Sequence, residues 1–133
     1  MRYLVAILAL AGLMVSCFAL REHFRTEPSP CSINERWDCG VVNHSPFAEI
    51  AGVPVAVFGI LGYAAIAGFA LARRWWIVLL LTTGAVGFSI YLTYIEARVL
   101  ETYCIWCVTS AGIIALTEIA TVVAVARRRK LAA

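Results

Sequence analysis

Four long apolar runs, each bounded by charged residues, restrict this chain to a small set of folds. Tyr3 to Leu20 is 18 residues without a formal charge, and Val53 to Ala72 is a run of 20. Trp76 to Ile95 and Tyr103 to Ala126 complete the set. A bilayer core is crossed by about 20 apolar residues in a helix, which satisfies every backbone group within its own segment. Only 14% of the 133 residues are charged and 62% are hydrophobic, with mean hydropathy +0.87. A soluble domain carries about a quarter charged residues, so this chain could not cover a water-facing surface. The expectation is an all-α membrane protein: one domain, residues 1–133, built as a four-transmembrane-helix bundle. Its helices lie at about 3–20, 53–72, 76–95 and 103–126, with a long outer loop over 21–52.

The first run exceeds the apolar part of a signal peptide, about 7–15 residues. Met14-Val15-Ser16-Cys17 loosely matches a lipoprotein cleavage box, but the run continues through Phe18-Ala19-Leu20. Cys17 is therefore read as a small apolar residue packed between helices. Small residues recur four apart at Ala64/Gly68 and Ala111/Ala115, and Gly59, Gly62, Gly84 and Gly87 add further small faces. Such faces serve close helix packing in membranes. Within the loop, Ser45-Pro46 is a good N-cap and first-turn pair, predicting a short surface helix from Pro46 to Ile50. Basic residues flank the apolar runs and form no patch interleaved with aromatics, so the lipid bilayer is the expected partner and nucleic acid is not.

Lysines and arginines accumulate on the cytoplasmic side of a membrane protein. With both termini in the cytoplasm, that side holds Arg2, Arg73, Arg74, Arg127, Arg128, Arg129 and Lys130. The outer side holds Arg21, Arg25, Arg36 and Arg98, with seven of the eight acids. Glu96, Arg98 and Glu101 fall in the short connector before the last span. Glu118 is the remaining acid, about four turns into the last span, and is expected neutral or paired with a polar neighbour. Charge alone gives this topology, yet it also gathers Cys31, Cys39, Cys104 and Cys107 on the outer face, where disulfides persist.

These cysteines form two pairs, and Cys104-Ile105-Trp106-Cys107 opens the last span. Cysteines three apart face the same side of a helical turn, and a helix N-terminus favours thiolate over thiol. Three readings compete. A four-cysteine zinc site would want a second close pair, whereas seven residues separate Cys31 from Cys39. Static disulfides would brace the loop at Cys31/Cys39, but a Cys104–Cys107 bridge braces little and would be labile. A relay uses both pairs: one on a loop to meet an outside partner, the other at the membrane surface to meet an acceptor in the bilayer. No metal is expected on that reading.

Four helices, C-x7-C in the first outer loop, a serine six residues later and C-x-x-C opening the fourth helix together resemble the vitamin K epoxide reductase family. The segment Gly52-Val53-Pro54-Val55 leading to Phe58-Gly59 is similar to its bacterial members. The resemblance covers nearly the whole chain. It implies that Cys107 passes electrons to a membrane quinone (menaquinone or ubiquinone) through a transient adduct, and that Cys104 resolves the adduct. Cys39 would exchange with Cys104, and Cys31 with a thioredoxin-fold partner. It also implies that Ser45 lies by the loop and quinone site. Phe58 and Trp106, with Trp37, Phe47 and Tyr91, are candidate walls for an apolar quinone. The chain ends at Ala133 without the fused thioredoxin-like domain of some bacterial members. A stand-alone protein of a bacterial inner or cell membrane, working with a separate DsbA-like partner, is therefore expected. The vertebrate enzymes are similar in using an asparagine and a tyrosine to hydrogen-bond the quinone. The aligned positions here are Val55 and Ala111, which offer no side-chain donor. That favours quinone reduction coupled to disulfide formation over reduction of a quinone epoxide. The remaining alternative is a non-catalytic membrane module braced by disulfides or zinc.

Overall fold

The computed structural model describes residues 2–24, 49–50, 52–100, 103 and 105–132. Four helices dominate: α1 (Arg2–Phe24), α2 (Val55–Leu71), α3 (Trp75–Ile95) and α4 (Ile105–Ala132). Three contain spans long and apolar enough to cross a membrane, at Arg2–Arg21, Trp75–Val99 and Ile105–Arg128, and α2 is a shorter apolar helix. The chain is an all-α integral membrane protein. α1 and α4 run past the ends expected from hydropathy. Arg21 and the Arg127–Lys130 cluster close the apolar runs but keep good helix propensity, so the backbone coils on beyond them.

α2 starts two residues later than its apolar run. Val53–Pro54 forms a short strand, β2, paired antiparallel with β1 (Glu49–Ile50) in the register Glu49↔Pro54 and Ile50↔Val53. Gly52 supplies the reversal at φ +82°, a region that costs glycine nothing. The expected surface helix from Pro46 to Ile50 is thus corrected at its end, where the chain is extended. Its start lies outside the described residues.

The opposite end of α2 closes on a three-residue turn. The Arg74 amide donates to the Phe69 carbonyl at 2.9 Å, and the Arg73 amide to Ala70 at 3.1 Å. These are the two bonds of a Schellman cap, with Arg73 at φ +60° where glycine is the usual occupant. The Arg128 guanidinium donates to the Arg73 carbonyl at 3.0 Å, tying the end of α4 to this turn.

α1 packs mainly on α2 and α4, α3 on α4, and α2 and α3 meet less extensively. The core occupies the half of the bundle next to the α2–α3 turn. Val5, Ala9, Ala70 and Val78 are fully buried there, beside Ala67, Trp75, Ala120, Ala124 and Val125. The small residues at helix contacts are mostly not the expected ones. Ala64, Gly68, Gly84, Gly87 and Ala115 face outward. The close approaches are at Gly59, one of the expected positions, where a methyl group would lie 2.7 Å from the Ser16 hydroxyl, and at Gly12, which was not expected, where it would collide with the Tyr63 ring. Cys17 is also corrected: it is exposed on α1 and not packed between helices.

Candidate functional site

The half of the bundle away from the packed core encloses a cavity of about 170 Å³. An apolar cavity of about 150 Å³ accommodates a benzene-sized ring. All four helices contribute, each at the end nearest the α1–α2 and α3–α4 connections. α1 gives Val15, Ser16 and Ala19, and α2 gives Val55 through Ile66 along one face. α3 gives Phe88, Ser89, Leu92 and Thr93, and α4 gives Trp106, Cys107, Ser110, Ala111 and Ile114. Ile66, Tyr63 and Ile114 close the floor and belong also to the buried core.

Cys107 sits in the first turn of α4, half-buried on the cavity wall. The α4 amides of that turn and the aligned helix dipole favour negative charge on its sulfur. Trp106 lies beside it and stacks on Phe18, with ring centroids 4.9 Å apart and planes 19° from parallel. Among the described residues, the buried Trp106 Nε1–H has no acceptor. A buried donor left unmatched costs about 1–3 kcal/mol.

Of the residues expected from sequence, Phe58, Trp106 and Cys107 come together on this cavity. Val55 and Ala111 line it as well, so the two positions without a donor are indeed wall positions. Tyr91 is corrected. It is 54% exposed, while Phe88, with which it stacks at 6.3 Å, takes the inward place. Cys31, Cys39, Cys104, Ser45, Trp37 and Phe47 lie outside the described residues.

Three polar wall residues were not foreseen. Tyr63 Oη donates to the Ser110 carbonyl at 2.9 Å and also lies 2.9 Å from Ser110 Oγ. Gly12 makes the space for that ring. Tyr63 reads as one more aromatic in an apolar run, and only its partner one turn beyond Cys107 marks it. The third is Glu96. Sequence puts it in a connector, but α3 continues through a π-helical turn, Glu96–Leu100, and Glu96 is only 3% exposed on the cavity wall. π-helical turns are rare and frequent at functional sites, because the added residue re-aims a side chain.

Elsewhere Glu118 behaves as expected. Its Oε1 accepts from Thr83 Oγ1 at 2.9 Å, one helical turn past Ile114. Among the described residues, no cluster of three metal-ligating side chains occurs.

The sequence model of the vitamin K epoxide reductase family matches residues 3–122, a stretch that takes in every wall residue of the cavity.

Proposed function

The chain belongs to the vitamin K epoxide reductase family, whose members are membrane oxidoreductases, and on that premise we propose that it oxidises protein thiols at the expense of a membrane quinone. The observation that carries this reading is the cavity itself: a ring-sized, mostly apolar space entered by the Cys107 wall. A quinone head group enters from the bilayer, Phe58, Phe88 and Trp106 flank it, and the Trp106 indole N–H meets one carbonyl oxygen. The Cys107 sulfur adds to the ring. Cys104 then attacks the Cys107 sulfur, forming a disulfide and releasing hydroquinone. Cys39 reduces that disulfide in turn, and Cys31 exchanges with a thioredoxin-fold partner on the outer side of the membrane, with both termini in the cytoplasm. Ser45 positions the loop. Two thiols and one quinone give one disulfide and one hydroquinone, so no further reductant is needed.

Val55 and Ala111 support quinone over epoxide as the substrate, since neither can hydrogen-bond an epoxide oxygen. The test is reduction of a short-chain quinone by a dithiol in the purified protein. Turnover that is lost in Cys107→Ala, with little or no consumption of the epoxide, is the expected result. Full activity in Cys107→Ala overturns the proposal.

A further inference from the structure

We propose that Glu96 is the proton-transfer group of the cavity, taking the Cys107 proton and delivering it to the quinone oxygen. The inference rests on the function proposed above. Thiol addition to a quinone requires two proton movements: the S–H proton leaves as the C–S bond forms, and the enolate oxygen generated on the ring gains one. A carboxyl positioned in the cavity wall can serve both transfers. Glu96 is 3% exposed, lines the same cavity as Cys107, and opens a π-helical turn. A carboxyl at membrane depth is costly and marks a functional site by default. Among the described residues, the titratable groups facing the cavity are Glu96 at the end of α3, Cys107 on α4 and Tyr63 on α2. α1 contributes Val15, Ser16 and Ala19, none of which titrates. A phenol is a far weaker acid than a carboxyl, so Glu96 and not Tyr63 is the carrier.

The balanced sequence is short. Glu96 carboxylate accepts the Cys107 proton, and the sulfur electron pair forms the C–S bond. The carboxylic acid then protonates the enolate oxygen. When the second thiol attacks Cys107, the S–S bond forms, the C–S bond breaks toward the ring, and that thiol's proton reaches the other oxygen by the same carboxyl. Glu96 ends as it began.

Positioned acid–base groups contribute about 10²–10⁴-fold, so Glu96→Gln should lower kcat for dithiothreitol reduction of a short-chain benzoquinone about 10²-fold near neutral pH. The deficit should shrink as pH rises and Cys107 ionises unaided, and Glu96→Asp should recover much of the rate. A Glu96→Gln variant with wild-type kcat overturns the inference, as does a deficit equal at every pH and shared by Glu96→Asp. A wild-type protein that does not reduce the quinone overturns the function proposed above instead. In that event the alkylation rate of Cys107 by a maleimide still reads Glu96, and pH profiles identical in wild type and Glu96→Gln overturn its role.

Discussion

The two halves of the bundle are built on opposite terms. Around the α2–α3 turn, alanines and valines bring the backbones together, and Val5, Ala9, Ala70 and Val78 lose all contact with the surroundings. At the other half the same four helices separate around a cavity whose walls mix Phe58, Phe88 and Trp106 with Ser16, Ser110, Tyr63 and Glu96. Lipid tails are as apolar as leucine, so helices in a membrane are held by close packing and not by a hydrophobic drive. The packed half can therefore fix four helix ends while the other half stays open for a ligand. Close packing and the cavity occupy different lengths of the same helices, with Tyr63 and Ile114 as the boundary.

Substitutions test this division. Cys107→Ala should lower quinone reduction by at least about 10³-fold, with helicity and unfolding midpoint unchanged; a fall in both together would show that the open half also bears the fold. Gly12→Ala should do the reverse. Its methyl group collides with Tyr63 at the boundary, and overpacking costs about 1–3 kcal/mol, to be read from detergent unfolding. Gly62→Phe fills vacant space, since nothing lies within 4 Å of a Cβ there. It should raise the KM for quinone about tenfold, or about 1.4 kcal/mol, while leaving the unfolding midpoint in place. Arg73→Gly touches only the packed half. It removes a left-handed strain of about 1–2 kcal/mol and restores about 0.4–1 kcal/mol of unfolded-chain entropy. The net gain, about 0.5–1 kcal/mol, should appear as a higher unfolding midpoint with unchanged turnover.

Much of the frame was legible because lipid imposes a strong rule on length. Runs of 18 to 24 residues with at most one charge can do little else, and three long spans with one shorter helix result. Facing was not legible. Tyr91 and Phe88 are three apart on α3, and an apolar helix all round gives no polar stripe to say which points inward. The same ambiguity turned Ala64, Gly68 and Gly84 outward and hid Gly12, whose role depends on a ring 51 positions later. On the cavity wall, Cys107 was visible by spacing and helix position, Trp106 by adjacency to it, and Phe58 by its place in the segment similar to the bacterial family members. Glu96 was not. A charge at the end of an apolar run ordinarily marks the exit to water, and nothing in the composition shows that this one is buried.

The Schellman cap after α2 also bears on how the protein enters its membrane. α2 has 17 residues, about 25 Å of helix at 1.5 Å per residue, slightly less than the ~30 Å hydrocarbon core. Only Ala72, Arg73 and Arg74 separate it from α3. So short a tether makes α2 and α3 a helical hairpin, a shape expected to insert as one unit, with α3 the longer of its two arms.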